Sequence, residues 1–68
     1  MADAVVGGIY RHCKGGVYQV IAIARDSSNP QQEMVVYQDT KGPQAWIRKR
    51  HEFEGAHETG VERFQRVT

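Results

Sequence analysis

Two adjacent glycines, Gly15 and Gly16, constrain this chain more than any other feature, because they separate two stretches that both read as strands. Glycine takes up positive φ without a Cβ penalty, so Lys14-Gly15-Gly16 suits the loop of a tight hairpin. Alternation along the first strand then puts Ile9, Arg11 and Cys13 on one face and Tyr10, His12 and Lys14 on the other. His12 and Cys13 therefore diverge, which removes a Cys-His nucleophile, since that needs the imidazole within hydrogen-bond reach of the sulfur. The corner also suggests an anion site, with Lys14 and Arg11 supplying charge and glycine amides converging as a nest. Plain turn chemistry is the simpler account of the same residues.

The rest of the chain reads as partners for this hairpin. Val17 to Arg25 is dense in β-branched residues and apolar on both faces beyond Gln19, which predicts a central strand covered on both sides. Asp26-Ser27-Ser28-Asn29-Pro30 is a cluster of turn formers, and Pro30 lacks the amide that a ladder needs, so the chain is expected to reverse here. Glu33 to Gln38 reads as the next strand, Asp39 to Pro43 as a loop, and Gln44 to Arg48 as a short strand carrying Trp46. Arg48 to Gly55 suggests one helical turn closed by Gly55. His57 to Gly60 reads as a polar connection and Val61 to Val67 as an edge strand with Phe64 inward. Met1 to Val6 is short and mixed and reads either as a mobile end or as a lead-in, paired or unpaired.

Five short antiparallel strands with a single helical turn before the last predict an all-β domain, a small SH3-like barrel spanning residues 1–68. Burial of Trp46 is expected to contribute up to about 5 kcal/mol, so its removal should unfold a core this thin. A chain of 68 residues forms one domain and buries only roughly 60% of its unfolded surface, which favours association into a homodimer or homo-oligomer. The single cysteine, Cys13, allows no intrachain disulfide and points to a reducing compartment. The first residues lack a signal-peptide pattern and no stretch has the apolar length of a membrane span, so a soluble, cytoplasmic protein is expected. A net charge of +1 gives no general attraction to nucleic acid or to an acidic membrane.

Taken together, Gly8-Ile-Tyr10-Arg11-His12, Lys14-Gly15, Tyr18, Ala24-Arg25, Glu33-Met-Val35-Val36-Tyr37, Trp46-Ile-Arg48, Phe53 and Arg63-Phe64 resemble the pattern of domain of unknown function family 1653. That family is a set of small bacterial and phage-borne proteins, and the resemblance implies no activity. It runs from Gly8 to Phe64 and departs at two places. Cys13 stands where the family has an aromatic, and Lys49 where it has a proline.

Among the nine basic residues, six are arginines: Arg11, Arg25, Arg48, Arg50, Arg63 and Arg66. Guanidinium groups bind phosphates and carboxylates bidentately and stack on rings, which lysine does not. Tyr10, Arg11, His12, Lys14, Tyr37, Trp46 and Arg48 are accordingly the candidate site for an anionic, nucleotide-like ligand. The structural alternative pairs Arg11, Arg25 and Arg48 with Glu33, Glu52 or Glu62 across strands. Lys41, Arg48, Lys49 and Arg50 beside Trp46 and His51 suggest single-stranded nucleic acid, but Glu52, Glu54, Glu58 and Glu62 cancel that charge. His12, His51, His57 and Cys13 match no zinc spacing, so no metal or other cofactor is expected. No acid/base pair is identifiable among the scattered carboxylates, and a non-enzymatic binding module is expected, with a peptide- or protein-interaction module as the alternative.

Overall fold

The computed structural model describes residues 3–55, 60 and 62–68. It is mainly β, with five antiparallel strands in one sheet and one short helix: β1 (Ile9–His12), β2 (Val17–Asp26), β3 (Asn29–Asp39), β4 (Ala45–Lys49), α1 (Arg50–Glu54) and β5 (Phe64–Arg66). The strand order is β4-β3-β2-β1-β5, so β4 and β5 are the two edges. The sheet is open, without the closure that an SH3-like barrel requires.

The glycine hairpin forms as the sequence predicts, with Gly15 and Gly16 at φ of 99° and 85°. Its loop includes Cys13, because the Gly15 amide donates back to the His12 carbonyl at 2.9 Å and ends β1 there. The second turn is tighter than expected. Only Ser27 and Ser28 lie between β2 and β3, and Pro30 stands inside β3, paired with neither neighbouring strand. Proline is tolerated there because β4 reaches only as far as Met34 and the β2–β3 register slips between Arg25 and Asp26, so no ladder bond is asked of it. Arg25 Nη1 donates to the Pro30 carbonyl at 2.9 Å and holds this irregular end.

The predicted helical turn is α1, followed by Gly55 in extended geometry. A Cβ on Gly55 would lie 2.8 Å from the His51 carbonyl oxygen, so close approach and not positive φ explains the glycine. The last strand is shorter than expected, and Val61 and the His57 to Thr59 part of the polar connection lie outside the described residues. Within the lead-in, Asp3, Ala4 and Val5 are tied to the body of the domain. Ala4 N–H donates to Glu54 Oε2 at 2.7 Å, Val5 N–H donates to the Tyr10 hydroxyl at 3.0 Å, and that hydroxyl donates to the Asp3 carbonyl.

The core lies on one face of the sheet, under α1. Tyr10, Phe53 and Phe64 are its largest fully buried side chains, joined by Val20, Val35, Tyr37 and Ala4. The rings of Phe53 and Phe64 stack, while Tyr10 meets Phe53 edge-on at 5.1 Å. Such contacts add to simple area burial. Trp46 is not part of this core. It sits on edge strand β4 and is 49% exposed, which corrects the expectation that the fold is wrapped around it.

Candidate functional site

Directly opposed residues of antiparallel strands project from the same face, so the register decides what converges. His12 opposes Phe64 across β1–β5, Tyr37 opposes Trp46 across β3–β4, and Arg48 opposes Val35. All of these, with Tyr18 of β2, lie on the core-facing side. There the curl of the sheet brings its two edges toward each other. His12, Tyr18, Tyr37, Trp46, Arg48 and Phe64 line a concavity of about 230 Å³.

Its floor is aromatic and rigid. Tyr37 packs on Phe64 at 5.3 Å and on Tyr18 at 5.4 Å, and the His12 ring sits edge-on to Phe64 at 4.9 Å. Its rim is polar. The Arg48 Nε donates to the Tyr37 hydroxyl at 3.4 Å, which steers the guanidinium over the mouth. His12 Nδ1 accepts the Lys14 amide at 3.1 Å, a bond that fixes how the imidazole presents itself to the pocket.

Four of the seven candidate residues therefore meet: His12, Tyr37, Trp46 and Arg48. The other three do not. Tyr10 is fully buried and bonded to the N-terminal segment, so its ring belongs to the core. Arg11 projects from the opposite face of β1, as the period-2 alternation that separates it from His12 requires. Lys14 is exposed in the hairpin loop, and the amides of Lys14 and Gly15 are both engaged within the turn, where an anion nest would have needed them.

Tyr18 and Phe64 line the site without having been singled out. Tyr18 is a strand residue two positions after the turn and Phe64 faces inward, but their meeting depends on β5 returning beside β1, which no local pattern encodes.

The cations outside the pocket are differently employed. Arg50 bridges Glu33 at 3.3 Å and Glu54 at 3.1 Å, and hydrogen bonding to Glu54 holds its guanidinium above the usual arginine range. It lines a wider, open depression of about 580 Å³ with Asp3, Gln31, Gln32, Glu33, His51 and Glu54, where its charge is already balanced and the only ring is the His51 imidazole. Glu33 is thus the partner of Arg50, where the sequence suggested Arg11, Arg25 or Arg48. Cys13 is exposed, and among the described residues no group of three His, Cys, Asp or Glu side chains is placed to hold a metal ion. His57 lies outside the described residues. Among the described residues no helix is long and apolar enough to cross a membrane.

A family model described as protein of unknown function (DUF1653) matches residues 8–66. No curated protein and no solved structure matches the chain.

Proposed function

The chain belongs to the DUF1653 family, whose description assigns no activity, and from that premise we propose that it is a non-enzymatic module that binds an anionic, nucleotide-like small molecule in the aromatic concavity. The convergence of His12, Tyr37, Trp46 and Arg48 on one hollow carries this reading. A planar base enters against Trp46 and the Tyr18–Tyr37 wall. Its phosphate meets the Arg48 guanidinium, which is suited to phosphate geometry. The hollow, about 230 Å³, falls below the roughly 300 to 1,000 Å³ typical of drug-sized ligands, so it takes the base alone and leaves the ribose and phosphate at the mouth beside Arg48. In keeping with the family resemblance, we place this activity in the cytoplasm of a bacterium, encoded by the host or by a phage, where the module serves as a sensor or a sequestering protein.

Thermal-shift measurements with purine and pyrimidine mononucleotides test the reading. A ligand that binds only the folded chain raises its stability by mass action, by about 2.7 kcal/mol at a hundredfold excess over Kd. Absence of any shift with millimolar nucleotide sinks it.

A second reading follows from the placement of Trp46 and Arg48 on the edge strand β4. A peptide adding to that edge would lay alternate side chains into the same hollow. Stabilisation by short peptides but by no mononucleotide separates the two. Nucleic acid is the weakest candidate, because Arg50 of the basic run is bound to Glu33 and Glu54. Binding through phosphates would fall steeply as salt rises.

A further inference from the structure

β2 is apolar on both faces, yet among the described residues the fold covers only one. The register sets Ala22, Val36 and Ile47 in a row across β2, β3 and β4, with Ala24 and Met34 beside it, all on the side away from the core and the pocket. The slip between Val20 and Ala22 makes Ile21 an extra residue, and it adds to the same surface. None of these side chains belongs to the core, whose partly buried apolar neighbours are Tyr18 and Ile23. Ile47 is 61% exposed and Ile21 43%. A sheet face left to water ordinarily alternates polar residues outward, so this row is out of place on a solvated surface.

We propose that this outer face of β2–β4 is where two copies of the chain meet, face to face about a two-fold axis. A second copy suits the face in three respects. An isologous contact needs a patch complementary to itself, and a contiguous row of uncharged aliphatic side chains meets that condition. The row ends at Lys49, whose charge also acts on Asp26, so each copy brings both signs to the rim. The molecule measures 31 × 28 × 17 Å, so a contact centred on the row has room to spread over the sheet toward the ~800 Å² per partner of a standard interface. A net charge of +1 opposes association little. The hollow lies on the other side, so such a dimer presents two open sites.

Sedimentation velocity and equilibrium on the full chain, from low to several hundred micromolar, test this directly. Wild-type protein is expected to sediment as a dimer, and Ile47→Glu and Ile21→Glu to raise the dimer dissociation constant at least tenfold while keeping the strand spectrum by circular dichroism. Trp46→Ala, on the other face, is expected to remain dimeric even where nucleotide binding is lost, which keeps the two readings separate. A wild-type monomer across the range overturns the proposal, as do glutamate variants that dimerise unchanged. A monomer that floats with zwitterionic phosphatidylcholine vesicles also overturns it and assigns the face to lipid.

Discussion

The rings of Phe53 and Phe64 lie stacked, 14° from parallel with centroids 4.1 Å apart, although one stands on α1 and the other on edge strand β5. This contact fastens the helix to the far edge of the sheet, and both rings are fully buried.

Phe64→Ala or Phe53→Ala should cost about 3 to 5 kcal/mol through lost burial and the cavity left behind. Domains this small rarely hold more than that in reserve. Either variant is expected to be largely unfolded at 25 °C by circular dichroism and amide proton dispersion. A cooperative transition near the wild-type midpoint would contradict the assigned core.

Tyr10→Phe keeps the ring and removes the hydroxyl that accepts from Val5 N–H and donates to the Asp3 carbonyl. We expect a loss of about 1 to 2 kcal/mol in urea unfolding. Hydrogen exchange should quicken at Ala4 and Val5, with little change at β2 or β3.

Trp46→Ala should leave the domain folded, with a stability change within about 1 kcal/mol, as befits a half-exposed edge residue. Nucleotide affinity should fall by about 1 to 3 kcal/mol, the worth of one stacked base. Arg48→Gln should weaken phosphate-bearing ligands more than the free nucleoside. Titration calorimetry on the matched ligand pair reads both effects.

A Cβ on Gly8 would come within 2.9 Å of the buried Tyr10 ring and 3.0 Å of the Val5 carbonyl oxygen, neither of which has room to move. Gly8→Ala is therefore expected to destabilise by about 1 to 3 kcal/mol. Gly42→Ala meets nothing within 4 Å and should be nearly neutral, so the pair of melting curves checks the packing.

Asp26 accepts from the hydroxyl and amide of Ser28 at 2.7 and 2.9 Å, and these bonds hold its carboxylate below its ordinary value of 3.8. A depressed carboxylate stabilises the fold above its unfolded pKa and loses that contribution as pH falls through the folded value. NMR titration should find the Asp26 midpoint below 3.8. Ser28→Ala should raise it toward that figure and loosen the β2–β3 turn less on acidification, because less is left to lose.

What the sequence discloses is governed by range. The glycine hairpin, the turn ended by Gly55 and the β-branched runs are local signals, and the structure contains all three elements. The apolar second face of β2 was equally legible, but whether anything lies against it depends on how many layers the chain can build. Size alone points Trp46 to the interior, and its exposure follows from β4 being an edge, a matter of strand order. Arg11 could have been excluded from the pocket without coordinates, since alternation already opposed it to His12. Phe64 could not have been included, because its place beside His12 needs β5 to return across most of the chain.

Tyr37 and Phe64 are at once part of the buried core and the wall of the hollow. The hollow and the fold are therefore written in the same rings, and a change of shape at the floor is also a change in whether the chain folds. A substitution that reshapes the hollow while sparing the fold is therefore expected at the rim, at His12, Trp46 or Arg48, which line it without belonging to the buried core.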